Sequence, residues 1–143
     1  MDRFERLSHS VWDCKYHVMW VPKYRRKELY GNKRTVVVAT IKKWAGIKGV
    51  EIIEGHACKD HIHLCLGIPP KYSVAHIVDL LKGKSASEVM SFGAKSSRMV
   101  RGRRFWARGY CVSTVGLDEK TIREYIRNQE EQDRRQKDLG FED

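Results

Sequence analysis

The stretch GVEIIEGHACKDHIHLCLGI, residues 49–68, contains two short apolar segments separated by a polar connection. Residues 49–56 and 61–68 are both rich in branched aliphatic side chains, a composition typical of β-strands. Asp60 begins the second segment, and two prolines end it at residues 69–70, because proline cannot donate a hydrogen bond to a neighbouring strand. The stretch therefore predicts two consecutive strands.

Helical patterns lie on both sides of these strands. Residues 35–44 carry apolar side chains at helical spacing and end near Gly46 and Gly49, which predicts a first helix. Ser73 is a suitable N-cap for a second helix, whose apolar stripe begins at Val74 and which extends to about residue 90. Gly83 is a weak point within it.

Strand patterns occur again towards both ends of the chain. Residues 11–21 alternate and are rich in aromatic and branched side chains, which predicts a strand before the first helix. Residues 105–106 and 109–115 predict a further strand, divided in two, after the second helix. Asp118 caps a last helix that extends over about residues 119–137.

The predicted order β-α-β-β-α-β followed by a helix is typical of an α+β, ferredoxin-like split-βαβ fold. In this fold an antiparallel sheet carries its helices on one face. We expect a single domain over residues 1–143, with a core of about residues 10–115 and the last helix at about residues 118–137. At this length the core needs no disulfide or metal ion to fold.

The charge of the chain indicates the kind of partner. Lys and Arg number 28 against 18 acidic residues, a formal net charge of +10. Such a surplus favours a polyanion such as nucleic acid first and an anionic membrane surface second. Residues 1–6 are charged and show no signal-sequence pattern, and no stretch approaches the roughly 18 apolar residues of a membrane span. We therefore expect a soluble, cytoplasmic protein that has no membrane partner.

The basic residues cluster near aromatic side chains. Cations neutralise phosphates, and aromatic rings such as those of Tyr24, Phe105 and Trp106 offer faces on which unpaired bases stack. A solvated charged surface is the alternative interpretation. The candidate phosphate contacts are Lys23, Arg25, Arg26, Lys82, Lys84, Arg98, Arg101, Arg103 and Arg104.

His61 and His63 stand two residues apart in the third predicted strand. Side chains at this spacing share one face of a strand, so the two imidazoles can converge on one metal ion. Ile62 and Leu64 then face the opposite side, towards the core beneath the helices. Two exposed histidines on a solvated face are the alternative, and the motif alone does not decide between them.

The cysteines allow a second kind of metal site. Cys58, His61, His63 and Cys65 together contain zinc-ligating residue types. If the chain stayed extended throughout, Cys58 would point to the opposite face from the other three, so such a site requires a kink. The simpler expectation is that all four cysteines, which include Cys14 and Cys111, are buried thiols.

The last predicted helix carries a second candidate group. Ile122 and Ile126, four residues apart, mark its buried stripe, while Tyr125 and Gln129 share a neighbouring face. An aromatic residue at the core edge and an ordinary surface glutamine are the alternative interpretation of that pair.

Taken in order, these motifs resemble those of the single-tyrosine HUH transposases of the 200/605 insertion-sequence type. The resemblance covers nearly the whole chain. Its motifs are the His61-x-His63 strand, the Tyr125-x-x-x-Gln129 helix, residues 78–85, residues 23–26, and the Gly109-Tyr110-x-Val112-Ser113 segment that leads to Gly116.

The resemblance implies a function and a site. It implies that Tyr125 is the nucleophile, that His61, His63 and Gln129 bind Mg²⁺ or Mn²⁺, and that Gly116 is a hinge for the last helix. It also implies a homodimer joined edge to edge through its sheets, and single-stranded DNA with hairpins as substrate. Such an enzyme cleaves and rejoins DNA through a 5′-phosphotyrosine, which keeps the energy of the broken bond. On affinity alone, nitrogen ligands favour zinc, nickel or copper.

The alternative functions are a phosphoesterase, a replication protein and a nucleic-acid-binding protein. A two-histidine phosphoesterase needs a second H-x-[ST]-type motif, which the other histidines do not supply. Replication initiators and relaxases of the wider HUH group usually have a third histidine and a longer chain. A non-catalytic or domesticated nucleic-acid-binding protein with a ferredoxin-like fold is the remaining alternative.

Overall fold

The computed structural model describes residues 5–6, 11–23, 29–92 and 105–138, of which 5–6, 92 and 133–138 are described by their backbone alone. Its described elements are strands β1 (Glu5–Arg6), β2 (Val11–Trp12), β3 (Lys15–Trp20), β4 (Glu51–Cys58), β5 (His61–Gly67) and β6 (Cys111–Ser113), and helices α1 (Gly31–Ile47), α2 (Val74–Phe92) and α3 (Glu119–Asp138).

Four strands form the main sheet in the order β4-β5-β3-β6, and every neighbouring pair is antiparallel. This is the ferredoxin-like strand order, in which β3 and β5 occupy the centre and β4 and β6 the edges. The predicted α+β fold is therefore confirmed. The short strands β1 and β2 pair with each other in a separate two-stranded sheet.

One face of the sheet is buried against α1 and α2. Ile62 and Leu64 of β5 are 1 % and 6 % exposed and belong to the same apolar cluster as Ile41 of α1 and Ile77 of α2. Because alternate strand residues point to opposite faces, His61 and His63 lie on the face away from these helices, as predicted. The face away from α1 and α2 is therefore where the candidate metal ligands are.

The first and last predicted strands are shorter than expected. The strand predicted at residues 11–21 is interrupted at Asp13 and Cys14, because β2 pairs with β1 whereas β3 pairs with β5. The Cys14 carbonyl instead accepts a hydrogen bond from the Ile68 N–H, at 2.9 Å. The last strand is reduced to the three residues of β6, and Trp106 pairs with Pro22 in an isolated bridge outside the named strands.

The predicted helix starts are confirmed at two sites. The Ser73 hydroxyl accepts the His76 N–H at 3.0 Å, and the Asp118 carboxylate accepts the Thr121 N–H at 2.8 Å. Gly83 does not interrupt α2, which packs along α1. No helix in the described residues is long and apolar enough to cross a membrane.

Candidate active site

The strand pairing determines what surrounds the two histidines. Across the β4–β5 pair, His63 lies opposite His56 and His61 lies opposite Cys58. Across the β3–β5 pair, His63 lies opposite Met19. Residues directly opposite each other in an antiparallel pair share a face, so all of them lie on the sheet face away from α1 and α2.

His61 is oriented by the residue before it. Its ring is buried, and Nδ1 lies 2.8 Å from Oδ1 of Asp60, so Nδ1–H donates to the carboxylate and Nε2 is left for a ligand. Burial alone would raise the pKa of the Asp60 carboxyl. The hydrogen bond with His61 and the charges of His61 and Arg123 outweigh that effect and hold the pKa below its ordinary value.

His63 lies among other imidazoles. The His17 and His56 ring centres are 5.7 and 6.1 Å from its own. Burial lowers the pKa of His63 from its ordinary 6.5, and the neighbouring His17, His56 and His61 lower it further, against a smaller opposite effect of Glu54. His63 is therefore mainly neutral at pH 7, which is the form that binds metal ions. Its Nε2 is buried and has no hydrogen-bond partner among the described residues.

The side-chain positions among the described residues do not support the zinc alternative. Cys58 shares a face with His61, contrary to the expectation, because it lies on β4 and faces His61 across the turn at residues 59–60. Even so, the described residues contain no group of three His, Cys, Asp or Glu side chains placed to hold a metal ion. The expectation of four buried thiols is also wrong, since Cys65 is buried and Cys58 is exposed.

Tyr125 and Gln129 lie side by side on α3, as their spacing predicts. Gln129 is 8 % exposed, and its Nε2 donates to the main-chain carbonyl of Arg108 at 2.6 Å and lies 3.4 Å from the Tyr125 hydroxyl. Because the carbonyl accepts from the amide nitrogen, Oε1 of Gln129 remains for another ligand. Tyr125 is half-buried and packs with Ile126 against a small cluster formed by Val21 and Ala107.

An ion pair connects the tyrosine helix, α3, to the histidine strand. Nη1 of Arg123 lies 3.4 Å from Oδ2 of Asp60, whose other oxygen holds His61. Sequence reasoning missed both Arg123 and Asp60. The position of Asp60 immediately before the histidine pair was a usable signal, whereas nothing distinguishes Arg123 from the other charged residues of its helix.

The predicted DNA contacts differ in their surroundings. Lys23 is 1 % exposed at the end of β3, so its side chain lies inside the structure and not on the surface. Lys82 donates to the carbonyls of Ala107 and Gly109. Lys84 is exposed, with its ammonium 4.4 Å from the centre of the Trp44 ring. Six predicted contacts lie outside the described residues: Arg25, Arg26, Arg98, Arg101, Arg103 and Arg104.

Gly116, the predicted hinge, lies between β6 and α3. It is exposed, and a side chain built on it would meet nothing within 4 Å. A side chain would therefore fit there without a clash, and the role of Gly116 as a hinge remains a prediction.

Residues 10–129 match the family described as "Transposase IS200 like". The chain belongs to this family. It is 43% identical over 135 residues to the transposase for insertion sequence element IS200 of Salmonella typhimurium, covering 94% of this chain and 89% of the relative. It is 28% identical over 124 residues to the ISDra2 transposase TnpA of Deinococcus radiodurans, covering 86% and 89% respectively.

Two solved structures share the fold of this IS200-type transposase. A putative transposase from Deinococcus radiodurans superposes with a TM-score of 0.76 at 28% identity, over 87% of this chain and 97% of that one. A REP-associated tyrosine transposase bound to a REP hairpin superposes with a TM-score of 0.54 at 12% identity, over 78% and 61%, and shows likeness of fold alone.

The donor types suit a divalent metal ion of the kind this family generally uses, and His61, His63 and Gln129 as its ligands remain a prediction. Nε2 of His61 is available because Nδ1 makes the hydrogen bond to Asp60, and Oε1 of Gln129 is available because Nε2 makes the hydrogen bond to Arg108. Nε2 of His63 is buried and has no hydrogen-bond partner among the described residues. Two imidazoles and an amide oxygen leave positions for phosphate oxygens on an ion.

Proposed function

We propose that this transposase cleaves and rejoins single-stranded DNA at hairpin-marked element ends, and that Tyr125 forms a 5′-phosphotyrosine intermediate. The observation that carries the proposal is the contact of the Tyr125 hydroxyl with the Gln129 amide, on a helix that Arg123 ties to the histidine strand through Asp60. A tyrosine, an amide and two histidines are thereby attached to one scaffold.

Each residue has a chemical task in this scheme. His61, His63 and Gln129 would hold Mg²⁺ or Mn²⁺, which would polarise the scissile phosphate when bound. A tyrosine phenol is protonated at neutral pH and must lose its proton to become a nucleophile. The N–H of Gln129 points at the phenol oxygen, where it stabilises the negative charge that develops as the proton leaves.

The covalent step balances without ATP. The Tyr125 oxygen forms a bond to phosphorus as the bond from phosphorus to the 3′ oxygen breaks, and that oxygen takes a proton to become a free 3′-hydroxyl. The phosphodiester energy stays in the tyrosine linkage, so a 3′-hydroxyl of a second strand can reverse the step. With one candidate tyrosine per chain, two linkages require two chains, which supports a homodimer.

The proposal also covers the hinge, the domain organisation, the location of the protein and its DNA contacts. Gly116 serves as the hinge of α3, the chain is a single domain, and the protein works in the cytoplasm. Lys84 and the arginines outside the described residues contact DNA phosphates, and the hairpin bound by the REP-associated transposase supports hairpin DNA as the ligand here. Lys23 and Lys82 are less suited to phosphate contact, since Lys23 is buried and Lys82 binds main-chain carbonyls.

The decisive experiment is Tyr125→Phe. The purified protein is incubated with Mn²⁺ and a labelled single-stranded oligonucleotide that carries an element-end hairpin, and SDS-resistant adducts are resolved on a gel. We expect the unmodified protein to form the adduct and Tyr125→Phe to abolish it, because the variant lacks only the attacking oxygen. Hairpin affinity, measured by fluorescence anisotropy, should stay within about twofold, since the ring and its packing are kept.

Tyr110→Phe is the matched control, since Tyr110 is also half-buried and lies outside α3. An adduct that persists in Tyr125→Phe would refute the assignment of the nucleophile. A protein that binds the hairpin but forms no adduct at all would instead favour the non-catalytic alternative.

A further inference from the structure

The three-residue segment 107–109 is held on one side by a lysine of α2. Nζ of Lys82 donates to the carbonyl of Ala107 at 3.0 Å and to the carbonyl of Gly109 at 2.7 Å. Two carbonyls separated by one residue are thus bound to a single ammonium group. The segment lies between them in a fixed position relative to α2.

The same segment is bound on its other side by α3. The carbonyl of Arg108, between the two that Lys82 binds, accepts the Gln129 amide at 2.6 Å. A side chain built on Gly109 would come within 4.0 Å of the Tyr125 hydroxyl, so the segment also borders the nucleophile. Gly109 has φ +82°, a backbone conformation that β-branched or bulky residues rarely adopt.

We propose that Lys82 is a positioning residue for the active site: by binding the carbonyls of Ala107 and Gly109, it places the Arg108 carbonyl that orients the Gln129 amide beside Tyr125. The inference rests on the proposed function, and it replaces the expectation that Lys82 contacts a DNA phosphate. A lysine ammonium has three donors, and at least two of them are directed at the protein's own main chain.

The orientation of the amide is what this arrangement controls. When the amide nitrogen of Gln129 donates a hydrogen bond to a fixed carbonyl, the amide oxygen points in a defined direction. That oxygen is the atom of Gln129 proposed to bind the metal ion. Partners of metal ligands typically change metal affinity or activity by about 10- to 100-fold when they are removed. Displacement of a reacting group by about 1 Å has an effect of similar size.

The test compares Lys82→Met with Lys82→Arg. Methionine keeps much of the apolar stem but cannot donate, whereas arginine keeps several donors. For Lys82→Met we expect adduct formation at saturating DNA to slow by about 10- to 100-fold and Mn²⁺ affinity without DNA to fall by about tenfold. Lys82→Arg should recover at least part of both losses. Hairpin affinity and its dependence on salt should not change.

A phosphate contact predicts the opposite pattern. Each lost contact would weaken hairpin binding and reduce the salt slope by about one, with the rate at saturating DNA unchanged. That result would overturn the proposal. Lys84→Met, two residues away on the same helix, shows what loss of a phosphate contact looks like in the same assays.

A ¹⁹F NMR measurement separates the positioning role of Lys82 from the proposed function. Fluorotyrosine is incorporated, and the ¹⁹F signal of Tyr125 is assigned by its absence in Tyr125→Phe. Lys82→Met should shift or broaden this signal and Lys84→Met should not, whether or not the protein forms an adduct. An unchanged Tyr125 signal in a folded Lys82→Met protein would refute the positioning role. If Lys82→Met does not fold, Lys82→Arg is compared with the unmodified protein instead. A Lys82→Arg protein with undiminished hairpin binding must then keep at least part of both adduct formation and Mn²⁺ binding, and complete loss of either would equally refute the positioning role.

Discussion

Ser85 is the hydrogen-bond partner of a buried tryptophan, and its removal tests how the 105–109 region is attached to α2. Ser85 is completely buried, and its hydroxyl donates to the Leu81 carbonyl at 2.7 Å while accepting the Trp106 indole N–H at 3.0 Å. In Ser85→Ala, the indole N–H stays buried and loses its acceptor. Trp106 cannot easily turn away, because its ring is 4 % exposed and packs edge-on against Trp20.

Two effects of opposite sign determine how much Ser85→Ala changes the free energy of unfolding. A buried donor left without a partner costs about 1–3 kcal/mol. Alanine is the better helix former by about 0.5 kcal/mol, which offsets part of that cost. The expected net loss in the free energy of unfolding is therefore about 0.5–2.5 kcal/mol. For a chain of 143 residues, with an unfolding entropy of about 0.3 kcal/mol/K, this lowers Tm by about 2–8 °C.

The assay is urea unfolding followed by tryptophan fluorescence and circular dichroism, with thermal melts alongside. Ser87→Ala is the matched control, because Ser87 is exposed on the same helix and its replacement should be neutral or slightly stabilising. Trp106→Phe and the double variant complete a cycle, in which we expect a coupling of about 1 kcal/mol between the two sites. Equal stability of Ser85→Ala and Ser87→Ala, or additive effects in the cycle, would refute this account.

Two further predictions concern the start of α3 and the 107–109 segment. Gly109→Ala should lower the free energy of unfolding, measured in urea, by about 1–3 kcal/mol because Gly109 has a positive φ. Gly109→Asn should lower it less, because asparagine adopts positive φ more readily than alanine. An equal loss of stability in the two variants would indicate steric crowding as the cause. Asp118→Ala should reduce helicity at 222 nm at pH 7. Because the Thr121 N–H holds the pKa of Asp118 below its ordinary 3.8, this contribution is present above that value and is lost as the pH falls through the folded-state pKa. The difference between variant and parent should therefore disappear in stronger acid, and a difference that persists there would exclude the carboxylate as its cause.

The local patterns of the sequence were sufficient for the elements and for most of the fold. Alternation of Ile62 and Leu64 with the histidines follows from strand geometry alone, and the caps at Ser73 and Asp118 follow from side chains that satisfy N–H groups at helix starts. These signals depend on neighbours within a few residues. They failed at Asp13 and Cys14, where the strand changes partner, because partner choice is not a local property.

The candidate site was likewise predictable from sequence only where it depends on local, repeating structure. By itself the sequence determined that His61 and His63 share one strand face and that Tyr125 and Gln129 share one helix face, since both follow from the repeat of a regular element. Only the tertiary structure decided that Asp60 joins His61 to Arg123, that Lys23 is buried, and that Lys82 binds the protein's own backbone. Those contacts join residues up to 63 positions apart, and a lysine that meets a carbonyl looks the same in sequence as one that meets a phosphate.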